Sequence, residues 1–201
     1  MLGMKRINDI FYSLQGEGYN TGRAAVFVRF AGCNLRCSFC DTEFDTYREM
    51  TDEELIAAVT DYPARFMVLT GGEPTLQVDE VVVDLLHQHG FEVAMESNGT
   101  RPAPQNLDWL TVSPKIAGGR WNEEGRGKVP NELKIIFEED TDPETYLPPI
   151  ASHYSPLLYL QPCDTGDAGR NAAIVEKCVE YIKEHPQWRL SLQTHKLVGF
   201  K

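Results

Sequence analysis

Apolar residues along this chain fall into two alternating patterns, one of strand length and one with helical spacing. Residues 24–31 (AAVFVRFA) are a near-continuous apolar run that leads directly into a group of cysteines. Thr51-Asp52-Glu53-Glu54 has the form of a capping box, a hydroxyl followed three residues later by a carboxylate, and predicts a helix through about Tyr62. Residues 66–70 (FMVLT) read as the next strand and run into Gly71-Gly72-Glu73-Pro74. Beyond that turn, Val78, Val81, Val82, Leu85, Leu86 and His89 follow the spacing of an amphipathic helix that Gly90 ends. Further strands are predicted at 91–97, 109–113, 133–137, 157–161 and 189–193, and further helices near 143–152 and at 171–185. The stretch 115–131, with four glycines, reads as an irregular loop.

Strands alternating with helices predict an α/β fold with a parallel sheet and helical crossovers. A closed eight-stranded barrel takes roughly 250 residues. The chain has 201, so a partial, open (β/α) barrel is expected. No repeat, low-complexity tract or proline-rich linker divides the sequence, and residues 1–201 are expected to form one domain. In such folds the chemistry gathers at the carboxyl ends of the strands. The cysteine group, Thr70-Gly71-Gly72-Glu73, Glu96-Ser97-Asn98, Ser113-Pro114-Lys115 and Gln161-Pro162-Cys163-Asp164 all fall there and would line one rim.

Composition narrows the function classes. With 42% hydrophobic and 24% charged residues the chain can bury a full core without disulfide staples. Its net charge of -11 has the wrong sign for gripping a phosphate backbone, so no direct nucleic-acid partner is expected. No apolar run approaches the roughly 18 to 20 residues that span a bilayer, nor does the start resemble a targeting segment. A soluble cytoplasmic protein without a membrane partner is expected. A second methionine at position 4 marks residues 1–3 as a candidate extension outside the fold.

Three of the five cysteines, Cys33, Cys37 and Cys40, are clustered, while Cys163 and Cys178 stand apart. This is no disulfide framework and points to a metal or redox centre in a reducing compartment. Three thiolates at spacings of four and three can wrap three corners of a tetrahedral or cubane site. A structural zinc needs a fourth protein ligand, which Cys163 would have to supply from another strand end. An iron-sulfur cubane would instead keep one iron open to a substrate or cofactor. Taken alone, Cys163 and Cys178 read as packing residues.

The C-x3-C-x2-C spacing, joined to Gly71-Gly72-Glu73-Pro74 at the end of a strand, resembles the radical S-adenosylmethionine superfamily. The resemblance implies a partial barrel of the radical SAM type, abbreviated relative to a full (β/α)6 core. It also implies a 4Fe-4S cluster on Cys33, Cys37 and Cys40, whose open iron chelates the methionine part of S-adenosylmethionine. Phe39 matches an aromatic position against the adenine. Gly71, Gly72 and Glu73 match the cofactor motif, and Glu96, Ser97 and Asn98 offer donors and acceptors for ribose or the methionyl carboxylate.

Further segments resemble one family of that superfamily, the 7-carboxy-7-deazaguanine synthases of queuosine and 7-deazapurine biosynthesis. They are FYSLQGEG at 11–18, VRFAGCNL at 28–35, Cys40-Asp41-Thr42, Ser113-Pro114-Lys115, Gln161-Pro162 and the LSLQTHK ending at 190–196. The resemblance implies conversion of 6-carboxy-5,6,7,8-tetrahydropterin to 7-carboxy-7-deazaguanine with loss of ammonia. A 5'-deoxyadenosyl radical would take a hydrogen from pterin C6 and later return it. By the same resemblance Leu14, Gln15, Gly16, Arg29, Thr70, His195 and the terminal Lys201 contact substrate, with Lys196 beside His195 as a further positive charge. Arg29 would meet the substrate carboxylate. Thr42 would bind magnesium, and Ser113, Lys115, Gln161, Pro162, Cys163 and Asp164 would contact the cofactor. No protein acid or base is expected to carry the reaction. A flavodoxin- or ferredoxin-type reductant and a homodimer are implied.

The nearest alternative is a glycyl-radical enzyme activase, which shares the cysteine spacing but takes a protein substrate. The Ser113-Pro114-Lys115 segment and the LQTHK ending argue against it. A small iron-sulfur electron carrier or zinc-binding module would have no use for the polar segments at the other strand ends.

Overall fold

The computed structural model describes residues 3–40, 42–43, 45–117, 127–147 and 156–201. Its strands are β1 (Lys5–Leu14), β2 (Ala24–Phe30), β3 (Arg48–Met50), β4 (Phe66–Gly71), β5 (Glu92–Ser97), β6 (Trp109–Val112), β7 (Glu132–Phe137), β8 (Leu157–Pro162) and β9 (Trp188–Leu190). They form one sheet in the order β3-β1-β2-β4-β5-β6-β7-β8-β9. From β2 to β9 every neighbouring pair is parallel, while β1 runs antiparallel to both β2 and β3. The sheet stays open, with β3 at one edge and β9 at the other. This is the partial, open barrel that the chain's length implied.

The strands bury both faces, and their period-two alternation decides which residues go to each. Val26, Val28 and Phe30 of β2, Met67 and Leu69 of β4, and Val93 and Met95 of β5 form the outer core. They pack against Leu55, Ile56 and Val59 of α1 (Asp52–Thr60) and Val82, Val83 and Leu86 of α2 (Glu80–Gln88). The intervening positions Ala25, Phe27, Phe66, Val68 and Ala94 form a second core on the inner face with Phe11. A third core, of Ile135, Phe137, Leu160, Ile174, Cys178 and Trp188, seats α3 (Ala168–Glu184) on the far strands. Cys178 is a packing residue there. Among the described residues no helix is long and apolar enough to cross a membrane.

The capping box forms as the sequence predicts. The Thr51 hydroxyl accepts from Glu54 N at 3.2 Å, and the Glu54 carboxylate accepts from Thr51 N at 2.8 Å. The helix predicted after residue 78 starts at Glu80, capped by Asp79, and a 3-10 turn at Pro74–Leu76 precedes it. Gly90 stops it with φ 80.

Four elements depart from the sequence reading. β1 was not predicted, because a register shift between Ile7 and Asp9 breaks its alternation. Its first residue, Lys5, is buried against Asp52 at 3.4 Å, so even its charge pattern misleads. The three-residue β3 is too short to leave a pattern. The predicted strand at 189–193 ends at Leu190, and the chain then turns into α4 (Thr194–Val198), closed by Gly199 in the left-handed region. The helix predicted near 143–152 is, over its described part, a 3-10 turn at Pro143–Tyr146. Residues 148–152, most of the loop predicted at 115–131, Asp41 and the first two residues lie outside the described residues.

Thr51→Ala should lower the apoprotein's stability by about 1 kcal/mol. Its melting temperature should then fall by roughly 2 to 4 °C, read by circular dichroism. An unchanged midpoint would mean the box contributes nothing to this helix.

Candidate active site

A cleft of about 410 Å³ opens at the carboxyl ends of the strands. It collects Leu14 from the end of β1, Gln15 and Gly16 from the segment after it, Arg29 from β2, and all three clustered cysteines with Phe39 and Thr42. Thr70, Gly71 and Gly72 reach it from β4, Glu96, Ser97 and Asn98 from β5, and Ser113 and Lys115 from the end of β6. Gln161, Pro162, Cys163 and Asp164 line the far wall, and His195, Lys196 and Lys201 of the C-terminal segment close the near side. The residues of β2, β4, β5, β6 and β8 meet because parallel strands deliver their carboxyl ends to one rim, to which the segment after β1 and the C-terminal segment are added.

The cysteine loop is held by backbone approach. Gly72 N donates to Phe30 O and Glu73 N to Gly32 O, both at 2.9 Å, so the turn after β4 continues the β2–β4 pairing into the loop. A Cβ on Gly72 would overlap the Gly32 carbonyl oxygen, and Gly71 has φ +113 with its own Cβ position against Phe30 O. The glycines are therefore required first by contact with the cysteine loop. On the loop's other side Asn98 Nδ2 donates to Asn34 Oδ1 at 3.0 Å and to Cys33 Sγ at 3.8 Å, while Asn34 Nδ2 donates to Thr100 Oγ1 at 2.7 Å. Burial pushes the Cys37 thiol up, against the pull of the Lys115 ammonium.

Among the described residues, no three His, Cys, Asp or Glu side chains converge as a single metal ion would require. The zinc reading with Cys163 as fourth ligand therefore has no geometric support; Cys163 is instead buried among Ile135, Leu160 and Ile174 as it lines the cleft. A cubane places each cysteine on a different iron and needs no convergence on one point. The three thiols on one loop, facing one cleft, fit it.

Glu73 is the predicted site residue that the structure keeps out of the cleft. It is fully buried, and its carboxylate accepts from Thr75 N at 3.1 Å, Thr75 Oγ1 at 2.7 Å, Ser97 Oγ at 2.8 Å and Asn98 N at 2.7 Å. Its carboxylate fixes Ser97 and Asn98, so Glu73 acts on the cleft wall from behind it.

Two features were missed in the sequence. Lys134 of β7 lies under the cleft with its ammonium paired to Glu17, and to Glu96 at 3.0 Å. Burial alone would raise the Glu17 carboxyl, but Lys134 and a hydrogen bond from Gln193 hold it at about 2. Burial opposes the charge on Lys134, and Glu17, Glu96 and Glu132 together push its pKa up instead. The Glu-Leu-Lys sequence at 132–134 was the available signal, since charges at alternate positions of an apolar strand share one face. The second feature is Glu132, 2% exposed, which accepts from Tyr19 N at 3.0 Å and is pushed by burial to about 7.

Arg29 supplies the cleft's open donor. Its Nε is buried with no hydrogen-bond partner, and its guanidinium lies 5.5 Å from the Phe11 ring centroid. Such a group asks for a carboxylate or phosphate. The outer side is closed by the C-terminal segment: Thr194 N donates to Gly16 O at 3.0 Å, Lys196 pairs with Asp164 at 3.0 Å, and Lys201 Nζ pairs with Asp9 at 2.7 Å. The Ser13 hydroxyl donates to the Lys201 carbonyl oxygen.

Comparison with known proteins agrees with this geometry. The radical SAM superfamily model matches residues 27–114, from β2 past the end of β6. The 7-carboxy-7-deazaguanine synthase of Bacteroides thetaiotaomicron is 48% identical over 199 residues, covering 98% of this chain and all of the relative. That of Bordetella pertussis is 41% identical over 216 residues, covering 96% and 97%. The crystal structure of QueE from Escherichia coli superposes with a TM-score of 0.76 at 30% identity, covering 94% of this chain and 93% of that one.

A raised carboxyl pKa in the folded state stabilises at low pH, and that contribution is lost as pH rises from about 4.5 through about 7. Glu132→Gln keeps the acceptor for Tyr19 N and removes the titration. Its unfolding free energy should therefore fall less than that of the unmodified protein between pH 5 and pH 7.5 in urea titrations. Parallel pH profiles would remove Glu132 as the source.

Proposed function

Because the chain belongs to the 7-carboxy-7-deazaguanine synthase family of radical S-adenosylmethionine enzymes, we propose that its cleft orders cluster, cofactor and pterin along the strand ends. The enzyme converts 6-carboxy-5,6,7,8-tetrahydropterin to 7-carboxy-7-deazaguanine with loss of ammonia, in 7-deazapurine biosynthesis. The activase alternative is not favoured by these relatives. The observation that carries the assignment of residues is the buried, unpartnered Arg29 Nε in the same cleft as the three cysteines.

Cys33, Cys37 and Cys40 would hold the 4Fe-4S cluster. Ser97, Asn98, Ser113, Lys115 and Gln161 to Asp164 line the wall for S-adenosylmethionine, with Phe39 against its adenine. Together the two groups supply a reversible hydrogen-atom abstraction. The chain's own residues bind, orient and exclude water. Arg29 takes the pterin carboxylate through its fork of N–H donors. Thr70, its register partner on β4, offers a hydroxyl alongside. Glu96, which the sequence grouped with Ser97 and Asn98 on the cofactor side, bonds instead to Gln15 and Lys134, so Gln15, Glu17 and Glu96 present acceptors at the other end, suited to the amino and ring N–H groups of the pterin. His195, Lys196 and Lys201 close over the outside.

Thr42 lines the same cleft, and its hydroxyl, the substrate carboxylate and waters would complete a magnesium shell. An acidic one-electron carrier as reductant and a homodimeric state belong to the same reading.

Anaerobic turnover with reconstituted, reduced protein, S-adenosylmethionine, magnesium and 6-carboxytetrahydropterin should give a deazaguanine product in many-fold excess over 5'-deoxyadenosine, read by mass spectrometry. Stoichiometric cofactor cleavage without that product would overturn the substrate assignment. Thr42→Ala should keep the cluster content and lose the stimulation by magnesium. An unchanged magnesium titration would remove Thr42 from the metal shell.

A further inference from the structure

Gln15, Glu17, Glu96 and Lys134 join in a hydrogen-bonded ring at the substrate end of the cleft, closed through the Glu17 main-chain N–H, and Gln193 bonds to it from outside. One Glu17 oxygen meets the Lys134 ammonium, and the other accepts from Gln193 Nε2 at 3.0 Å. One Glu96 oxygen accepts from Lys134 Nζ at 3.0 Å, and the other from Gln15 Nε2 at 2.8 Å. Gln15 Oε1 accepts in turn from Glu17 N at 3.2 Å. Lys134 is the hub: its side chain is 4% exposed, and β7, which carries it, contributes no backbone atom to this ring.

We propose that Lys134 is a positioning residue for substrate selection, holding the Glu17 and Glu96 carboxylates in place as paired acceptors for the donor-rich edge of the pterin. This rests on the reading of the substrate given above. Two carboxylates in one enclosed cleft repel, and without a counter-ion one of them takes up a proton near neutrality. A protonated carboxyl turned toward an amino or ring N–H group opposes donor to donor and loses the contact. A substrate that itself carries a carboxylate makes the point sharper, because uncompensated acidic groups would repel it from the cleft that Arg29 opens to it. Lys134 removes both penalties without touching the carboxylate end, since it belongs to the opposite wall.

The charges facing the pair fix what its titration can report. Glu132 lies two residues back on β7 and weakens the local positive field. His195 of α4 and Lys115 after β6 add to it. None of these replaces Lys134 as a direct partner of both carboxylates.

The test is equilibrium binding of pterin-6-carboxylate to reconstituted protein carrying oxidised cluster and S-adenosylmethionine, so that no turnover occurs. In the unmodified protein any change from pH 6 to pH 8 should be a loss of affinity as Glu132 ionises near pH 7, opposite in sign to the recovery expected without Lys134. Lys134→Met should weaken binding at pH 6 by about tenfold or more and recover part of it by pH 8, as Glu17, buried without its counter-ion, ionises. Lys134→Arg, which retains the charge, should restore the unmodified protein's profile. Cluster content and S-adenosylmethionine binding should be unchanged in both. If Lys134→Met fails to fold, Lys134→Gln keeps donors to both carboxylates without the charge and should show the same pH-dependent loss. Weakening of equal size at every pH, or no weakening, would overturn the role given to Lys134. Failure of the unmodified protein to bind the pterin at any pH would instead overturn the substrate reading.

Discussion

The contact between the Gly71-Gly72 turn and the cysteine loop is the constraint on which the active end of this protein depends. Two main-chain hydrogen bonds of 2.9 Å extend the β2–β4 pairing past the last regular residue of β2. They are possible only because no Cβ stands between Gly72 and the Gly32 carbonyl. The thiols of Cys33, Cys37 and Cys40 are thereby tied to the sheet rather than carried on a free loop. Glu73 extends the same constraint sideways, since its carboxylate gathers Ser97 and Asn98 from β5, and Asn98 returns to the cysteine loop through Asn34. Loop, turn and strand end form one closed set, and a shift in any of them moves the others.

The opposite wall is built on charge instead of backbone approach. Glu17, Lys134 and Glu96 come from three elements that have no sequential relation, and each is held by the other two or by a glutamine. An isolated buried ammonium would be costly, and two adjacent carboxylates would be costlier still. Placed together they satisfy one another and leave polar edges facing the cleft. The apolar layer of Phe11, Phe27, Phe66 and Val68 beneath keeps water from reaching them from below. Along each inward face the side chains change from apolar at the amino end to polar at the carboxyl end, as in Phe27 then Arg29, Val68 then Thr70, and Ala94 then Glu96.

The C-terminal segment completes the enclosure by local and long-range contacts alike. Ser191 bridges Gly18 N and Gln161 Oε1, Thr194 reaches Gly16, and Lys196 crosses to Asp164. The chain end therefore staples the segment after β1 to the end of β8, across the open gap of the sheet. A reaction that proceeds through a reactive radical needs such exclusion of solvent more than it needs a protein acid or base.

Much of this was legible along the chain. The apolar runs of β2, β4, β5, β7 and β8 located the central strands, and the Thr51 box located a helix start, because these are local signals with fixed periods. The cysteine spacing and the motif segments named the residues of the cleft, all but Glu73 reaching it. What sequence could not decide is where a polar side chain spends its hydrogen bonds. Glu73 looks like a residue of the cleft until it is found buried behind the wall among Thr75, Ser97 and Asn98, and Lys134 looks like one charge in an apolar strand until Glu17 and Glu96 arrive from elsewhere. β1 stayed hidden because its bulge breaks the alternation and its buried Lys5 is neutralised by a residue 47 positions away. Periodicity is a property of neighbours in sequence, whereas satisfaction of buried charge is a property of neighbours in space, and only the packed sheet supplies those.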